Sequence, residues 1–412
     1  QAVSIRPING TMNSRRALAF IFCTVTLDVL ALGLMIPVLP RIVLGFMGGD
    51  TAGAAEMFGA FSTVWALMQF FFSPLLGVIS DRYGRRPVIL ISCFGLGLDY
   101  VFMAVAPSLT LLFIGRIISG ITSATIGTGY AYIADITPEK DRARAFGLIG
   151  VAFGLGFIVG PAAGGLLASV EPRLPFWVAA AACLINAGFG WFALPESLPP
   201  ERRMAFAWKR ANPVGAFHLL AAHRELYGLA VVNFIGQLAH QVLPAVSVLY
   251  LAYRYGWGET DVGLTLALVG ICSAVVQGAL VGPAVARLGE RRAMLVGLMF
   301  GALGMAIYGL APTGWLFLIG VPVMSLWGLS GPAILGLMSR LVSPSEQGQL
   351  QGANTSLTSI AGLIGPMLFA AAFSMLIGPL PGAAYDLAAV FLLLAVAVAW
   401  WATRRRAGGR PR

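Results

Sequence analysis

Charged side chains are scarce in this sequence. Asp, Glu, Lys and Arg together make up 11% of its 412 residues, whereas soluble proteins contain about 25%. Hydrophobic residues make up 58%, and the mean hydropathy is +0.84. So few charges cannot cover the surface of a water-soluble protein of this length. The composition therefore predicts a protein that crosses a membrane several times.

Cysteine and histidine are also sparse, and their positions exclude several classes of protein. The four cysteines lie far apart inside apolar runs, so neither a disulfide framework nor a metal centre is expected. A membrane-embedded enzyme acting on lipid would need His, Asp and Glu together at a membrane edge, and the three histidines show no such pattern. An ATP-driven pump is excluded because no Walker-type phosphate loop is present. We expect no enzyme activity, no metal and no cofactor.

The basic residues predict the orientation of the chain. The net charge is +10, and 23 of the 27 Lys and Arg residues fall in tails and loops on one side of the predicted membrane. Loops rich in Lys and Arg remain in the cytoplasm. This distribution explains the positive charge without a nucleic-acid partner. We predict a multi-pass protein of the inner membrane, with both termini in the cytoplasm and no oligomeric partner.

Twelve apolar runs are close to the length of about 20 residues that a membrane-spanning helix needs. They lie near residues 17–39, 57–78, 88–106, 109–131, 143–167, 175–194, 225–251, 260–285, 292–311, 314–338, 349–375 and 383–402. We therefore predict an all-α membrane protein with twelve transmembrane helices in two pseudo-symmetric six-helix halves.

The predicted boundaries follow from these spans. Residues 1–194 form the first half and begin with a tail at 1–11. Residues 195–224 form a cytoplasmic linker rich in proline and charge. The second half is predicted at 225–412.

A short polar turn between the second and third spans is a candidate gate. Its residues, the loop motif, are Gly77, Asp81, Arg82, Gly84, Arg85 and Arg86. Gly77 permits a close helix approach, and Gly84 permits a turn in which a side chain would clash. The acid at this turn suits a helix N-terminus of the other half. The two arginines at its end are expected to meet Glu139 or Asp141.

The same pattern of residues returns further along the chain. Gly289 and Arg291 follow Gly84 and Arg86 at an offset of 205 residues, and Gly160-Pro161 is repeated at Gly365-Pro366 with the same offset. A constant offset over a long stretch is the signature of an internal repeat. The sequence is therefore a duplicated membrane unit.

Three ionisable residues fall deep inside predicted spans, namely Asp28, Asp99 and Arg116. A charge in the hydrocarbon costs a few kcal/mol even on insertion scales, so such residues usually face a cavity or each other. We predict that they carry protons. Asp28 could instead be a structural hydrogen-bonding group, Asp99 could simply pair with Arg116, and Arg116 could reach outward to the membrane surface.

A polar stripe on the seventh span predicts a substrate cavity. Asn233, Gln237, His240 and Gln241 are spaced i, i+4, i+7 and i+8, which places them on one helix face. We add Gln69 of the second span to this predicted cavity.

The fifth span is rich in glycine. Gly154, Gly160 and Pro161 belong to a run in which small residues let helices touch and proline bends the helix. Tight packing alone would explain this run. We predict that it also serves as a hinge between the halves.

These motifs resemble a known family. Gly77-x-x-x-Asp81-Arg-x-Gly84-Arg-Arg86 resembles the loop signature of the major facilitator superfamily, and Gly154…Gly160-Pro161 resembles its antiporter signature. Thr26-Leu-Asp-Val-Leu-Ala-Leu-Gly-Leu-Met-Ile-Pro-Val-Leu-Pro40 and Gly115-Arg-Ile-Ile-Ser-Gly-Ile-Thr122 resemble segments of tetracycline-efflux proteins.

The resemblance implies a proton-coupled antiporter that exports small amphipathic drugs by alternating access. By the same resemblance, Asp28, Asp99 and Arg116 match intramembrane charges of the family, and Gln69 and Gln241 match polar cavity positions. Ser273 and Gly301 depart from the family, because they align with a histidine and an aspartate associated with proton coupling. An importer or facilitator of a small metabolite is the alternative.

Overall fold

The computed structural model describes residues 10–123, 125–137, 139–204, 223–343 and 346–404. Side chains are described for these residues except 10–16, 125–126, 139–148 and 348. Most of the predicted tail and of the predicted linker, and the side chains of Glu139 and Asp141, therefore lie outside the described residues.

Sixteen α-helices account for most of the described chain. In the first half they are α1 (Gly10–Met35), α2 (Leu39–Phe46), α3 (Thr51–Tyr83), α4 (Arg85–Val105), α5 (Leu109–Thr122), α6 (Thr125–Ile136), α7 (Glu139–Val170) and α8 (Leu174–Ala193). In the second half they are α9 (Tyr227–His240), α10 (Val242–Tyr255), α11 (Glu259–Val275), α12 (Val281–Leu310), α13 (Gly314–Ser325), α14 (Ser330–Ser339), α15 (Gln347–Leu376) and α16 (Ala383–Arg404).

Eleven helical stretches of the described chain are long and apolar enough to cross a membrane. One of them, Glu259–Leu310, has 52 residues and would measure about 78 Å as a straight helix, more than twice the thickness of the hydrocarbon core of about 30 Å. It is interrupted at Gly289, whose φ is 75°. Each predicted span overlaps one of the eleven stretches. The prediction of an all-helical, multi-pass membrane chain is confirmed.

Several spans contain irregular backbone. The first span is broken between α1 and α2, the fourth between α5 and α6, and the seventh at Gln241. A π-helical turn at Val276–Leu280 follows α11, and a 3₁₀ turn at Leu326–Leu329 joins α13 to α14. Such backbone is tolerated at membrane depth where it is buried in protein or lines a cavity.

Two long helix pairs join the halves, α3 with α15 and α7 with α11. One end of the molecule carries the loop motif, and we call it the arginine-rich end. Towards the opposite end the contacts between the halves are tight. A Cβ atom at Gly263 would lie 2.5 Å from the backbone oxygen of Pro161, and one at Gly59 would lie 2.6 Å from the Cβ of Ala370.

Towards the arginine-rich end no such close approach is seen at four glycines. Within the described part of the chain, no atom lies within 4 Å of a Cβ built at Gly150 or Gly154 on α7, or at Gly278 and Gly282 of the eighth predicted span. The close contacts between the halves that the structure describes therefore lie towards the opposite end.

Candidate functional site

The loop motif forms a sharp turn around Gly84. This residue ends α3 and precedes α4 with φ 108° and ψ 157°, a backbone conformation that suits glycine. The carboxylate of Glu196 occupies the space in which a side chain at position 84 would lie. Its Oε1 accepts hydrogen bonds from the backbone nitrogens of Arg85 at 2.9 Å, Ser197 at 2.9 Å and Leu198 at 3.0 Å. Glu196 thereby holds the start of α4 to the chain that leaves α8.

Arg85 is the centre of a polar cluster within the first half. Its Nη1 is 2.6 Å from Asp81 Oδ1, and its Nε is 3.2 Å from Asp135 Oδ2. Nη1 also donates a hydrogen bond of 2.5 Å to the hydroxyl of Ser80. Among the described residues, Asp81 is thus paired inside its own half rather than with a helix of the second half. The close helix approach expected at Gly77 is not seen, because no atom lies within 4 Å of a Cβ built there.

The other two arginines of the loop motif stack on aromatic rings. Arg86 donates a hydrogen bond of 2.5 Å to the backbone oxygen of Trp191 and lies 5.8 Å from the centre of its ring. Arg82 lies 5.1 Å from the ring of its neighbour Tyr83. Arg86 therefore ties the loop motif to α8.

The second half repeats this geometry. Gly289, like Gly84, has a positive φ. Arg291 lies 5.0 Å from the ring of Trp400 on α16, and its Nε donates a hydrogen bond of 2.8 Å to Thr403. In each half, the arginine two residues after the glycine therefore stacks on a tryptophan of the last helix.

Asp99 and Arg116 lie together inside the first half. They are 2% and 9% exposed, and they interact electrostatically across α4 and α5. Neither carboxylate oxygen of Asp99 makes a hydrogen bond within the described chain, although Ser119 is close enough to act as a donor. The guanidinium of Arg116 lies 5.2 Å from the centre of the Trp65 ring on α3. Arg116 is therefore held beside Asp99 without a direct ion pair.

Asp28 approaches the same region from α1. It is 7% exposed and interacts electrostatically with the hydroxyl of Tyr100 and the thiol of Cys183. Tyr100 also interacts electrostatically with Asp99 and Arg116. The three charges predicted from the sequence thus form one buried cluster around Tyr100, which we call the charge cluster.

A cavity of about 380 Å³ lies in the second half. Asn233, Gln237 and His240 line it from α9. Gly236 and Leu243 of the seventh predicted span also line it. Further lining residues come from the eighth, ninth and tenth predicted spans and include Val269, Ser273, Gln277, Leu298, Met324, Ser325, Trp327, Ser330 and Ile334. Three of the five predicted cavity residues therefore share one cavity.

Gln241 and Gln69 are not among the residues that line this cavity. Gln241 directly follows the last residue of α9 and packs its Cβ and Cγ against Gly365 of α15. At about 100° per residue, Gln237 and His240 lie within about 40° of Asn233 around the helix, whereas Gln241 lies about 80° away. The stripe is therefore narrower than its four polar residues suggest. Gln69 is partly buried on α3.

The predicted hinge residues have different surroundings. A Cβ atom at Gly160 would lie 2.7 Å from the Cα of Gly33, so α7 touches α1 there. The helix continues through Pro161, whose backbone oxygen faces Gly263 of α11. At Gly154 the space is open. Close packing is seen at Gly160 and Pro161, and the hinge itself stays a prediction.

Two polar ties cross between the halves at the opposite end. Arg41 of α2 donates a hydrogen bond to the backbone oxygen of Trp257, and its Nη1 is 3.8 Å from Glu259 Oε1. Ser374 of α15 donates a hydrogen bond of 2.5 Å to Glu56 of α3. These ties join the halves where the helices are also most tightly packed.

Sequence reasoning missed several of these residues. Glu196, Trp65, Tyr100 and Cys183 act through contacts between distant parts of the chain, and no local pattern marks them. Arg41 did carry a signal, because it is one of few basic residues on the arginine-poor side of the chain.

Comparison with known proteins identifies the family. The sequence model of the Major Facilitator Superfamily matches residues 18–366 and also residues 226–412. The class C tetracycline resistance protein of Escherichia coli is 39% identical over 383 residues, which cover 93% of this chain and 96% of that protein. The class G tetracycline resistance protein of Vibrio anguillarum is 37% identical, with coverages of 91% and 94%.

A solved structure shares the fold. A bacterial homolog of the human lysosomal transporter Spinster, in an inward-facing and unoccupied conformation, superposes with a TM-score of 0.75. The match covers 98% of this chain and 100% of that chain at 17% identity. The family model and the similar proteins together define the class, a multi-pass membrane transporter of small molecules. The chain belongs to the Major Facilitator Superfamily and, within it, to the family of the tetracycline resistance proteins.

Proposed function

We propose that the protein is a proton-coupled antiporter that exports small amphipathic drugs across the inner membrane by alternating access. The observation that carries this proposal is the identity of 39% over 383 residues with a protein named for tetracycline resistance. The match extends over nearly the full length of both chains. In this proposal the proton is the coupling ion, and the transporter works as a monomer without a cofactor.

The topology we propose has twelve spans in two halves, residues 1–194 and 225–412, with a cytoplasmic linker at 195–224. The interruption at Gly289 supports counting the 52-residue stretch as two spans. An even number returns both termini to the arginine-rich end, and the distribution of Lys and Arg favours the cytoplasm for that end.

With this orientation, the conformation of the protein corresponds to an inward-open transporter. The tight end, with Arg41 and Glu56, then faces away from the cytoplasm. The separated end, with Gly154 and Gly278, then opens the second-half cavity to the cytoplasm. An exporter loads its substrate from the cytoplasm in such an inward-open state.

The charge cluster is the part that we propose carries protons. A buried carboxylate is costly unless an opposite charge or a proton compensates it. A movement of α5 that brings Arg116 against Asp99 would stabilise the carboxylate, and a movement that withdraws it would favour proton uptake. Asp28 lies in the same cluster, so the same movement of Arg116 changes the electrostatic surroundings of its carboxylate. One conformational step can therefore load or release a proton.

Transport in inverted membrane vesicles tests this function. Vesicles containing the protein are expected to accumulate a fluorescent drug when a pH gradient is imposed, and an uncoupler should abolish the accumulation. Vesicles without the protein are the control. Uptake that only equilibrates the drug across the membrane, and that the uncoupler does not change, would indicate a facilitator, and transport in the opposite direction would indicate an importer.

A further inference from the structure

The second-half cavity offers hydrogen bonds but almost no charge. Among the described residues, its lining contains no Asp, Glu, Lys or Arg, and His240 is its one ionisable side chain. The volume of about 380 Å³ is within the range of about 300–1,000 Å³ found for small-molecule sites. The cavity is therefore large enough for a drug-sized ring system. Its described lining has no carboxylate, guanidinium or ammonium group that would pair with a charged drug.

Several polar side chains in the cavity have no hydrogen-bond partner among the residues that the structure describes. Gln237, His240, Ser273 and Gln277 line it, and none of these side chains makes a hydrogen bond to another described residue. Asn233, by contrast, donates a hydrogen bond of 3.0 Å to Asn354. The two glutamine amides each offer both a donor and an acceptor. These groups are available to a ligand.

Irregular backbone surrounds this cavity on three spans. His240 is the last residue of α9, Gln277 lies in the π-helical turn, and Trp327 lies in the 3₁₀ turn. Single π-helical turns occur frequently at functional sites. Three breaks in regular helix therefore occur where side chains line one cavity.

Two aromatic rings supply a flat surface. The rings of His240 and Trp327 have centroids 5.6 Å apart and an interplanar angle of 50°. Trp327 is buried, while His240 is exposed to the cavity. Aromatic rings at such distances favour offset or tilted contacts with a further ring. A planar ligand can contact this pair while its edge reaches the glutamine amides.

We propose that this cavity binds the exported drug as an uncharged, planar ring compound with hydrogen-bonding groups at its edge, and without a metal ion. The inference rests on the proposed function as a drug exporter. A cationic drug or a metal chelate would leave its charge uncompensated in a cavity that has no carboxylate, and such burial is unfavourable. Gln237 and Gln277 determine specificity through hydrogen bonds, and Trp327 does so through ring contact.

Binding to the purified full-length protein tests this inference. We use chloramphenicol as the uncharged probe, ethidium as the permanent cation, and tetracycline in either EDTA or excess Mg²⁺. Equilibrium dialysis is expected to show binding of chloramphenicol, and excess Mg²⁺ is expected to lower any binding of tetracycline that is seen in EDTA. Binding of ethidium alone, or of tetracycline only with Mg²⁺, would overturn the inference.

Three variants locate the site. Gln277→Leu and Trp327→Leu should each weaken chloramphenicol binding by roughly tenfold, the order expected for losing one or two hydrogen bonds or a ring contact. Trp315→Leu is the matched control, because Trp315 is 80% exposed on the same span and does not line the cavity. Equal losses of chloramphenicol affinity in Trp315→Leu and Trp327→Leu would contradict the assignment of the binding site to this cavity.

A fourth variant should reverse the preference for uncharged over cationic probes, an effect that simple misfolding would not produce. Gln277→Glu adds one carboxylate, so we expect ethidium binding to appear and chloramphenicol binding to fall. Unchanged probe preferences in a folded Gln277→Glu protein would overturn the inference. The proposed function fails separately, if the wild-type protein binds chloramphenicol but shows no uncoupler-sensitive export in vesicles.

Discussion

The carboxylate of Glu196 fills the place of the side chain that Gly84 lacks. It accepts three backbone hydrogen bonds there, one of them from Arg85 at 2.9 Å. The turn between α3 and α4 is thereby fixed to the end of α8, a segment 111 residues away in the sequence. Glycine at position 84 is required both by the positive φ and by this contact.

Substitution of the two glycines of the loop motif should therefore have different effects on stability. Gly84→Ala must strain a positive φ and displace Glu196, which we expect to cost about 1–3 kcal/mol. Gly77→Ala is the matched control, because the position is helical and nothing lies within 4 Å of its Cβ. Thermal unfolding in detergent should show a lower midpoint for Gly84→Ala alone. Equal midpoints for the two variants would contradict this account.

Arg41 should hold the opposite end closed. Arg41→Ala removes the hydrogen bond to Trp257 and the ion pair with Glu259, which favours opening of this end. In alternating access the arginine-rich end then closes, so the distance between the halves at that end should shorten in part of the population. If the closed form of this end loses about 1–2 kcal/mol of stabilisation, the ratio of its closed to its open form changes by about five- to thirtyfold. Spin labels at positions 150 and 278, with Cys23 and Cys272 replaced by serine, would report this distance.

Arg173→Ala is the control for this experiment. Arg173 donates a hydrogen bond of 2.8 Å to the backbone oxygen of Ala104, so its contact stays within the first half. The distance distribution should be unchanged in this variant. A shift as large as that of Arg41→Ala would show that loss of any arginine at this end perturbs the conformation.

Coupling to protons should depend on Asp28 and not on His240. Asp28→Asn removes an ionisable group from the charge cluster, so pH-driven export should be lost while downhill exchange of drug persists. His240→Gln retains hydrogen bonding in the cavity and should leave the response to pH intact. Uptake into inverted vesicles, with and without a pH gradient, measures both. Uphill export by Asp28→Asn, or its loss in His240→Gln alone, would place the coupling group elsewhere.

Glu346 should not contribute to the pH dependence of transport. Hydrogen bonds from Ser343 and His223 lower the pKa of Glu346 to about 2. Because the pKa is lowered, the stabilising hydrogen bonds to the Glu346 carboxylate are fully present at pH values above the ordinary pKa of a glutamate. They are lost only as the pH falls towards 2. Between about pH 5 and pH 8 the group therefore stays ionised. The pH profile of export by Glu346→Gln should have the same midpoints as that of the wild type, and a displaced midpoint would contradict this.

Local sequence patterns predict the helices and the turns between them well. The repeat at an offset of 205 residues predicts that Gly84 and Gly289 share a conformation, and both have a positive φ. The helical period likewise brings Asn233, Gln237 and His240 to one cavity. These features depend on residues that are close in sequence or on a duplicated pattern, so the sequence is sufficient for them.

Other features depend on how distant segments approach. Glu196 meets Gly84, Trp65 meets Arg116, and Arg41 meets Trp257 only after the spans have packed. Gln241 differs from its neighbours because α9 ends before it and its side chain turns towards α15. Spacing along one helix cannot reveal these contacts.

The buried acids and the drug-sized cavity lie in different halves of the molecule. The charge cluster draws on α1, α4, α5 and α8, whereas the cavity draws on the seventh to tenth spans. Proton and drug therefore need not share side chains, so in the proposed antiporter the conformational change itself must make their binding mutually exclusive. Evolution can then change the drug spectrum by recombining the second half alone. A chimera with the second half of a relative should inherit that relative's drugs and keep the energy source of the first half.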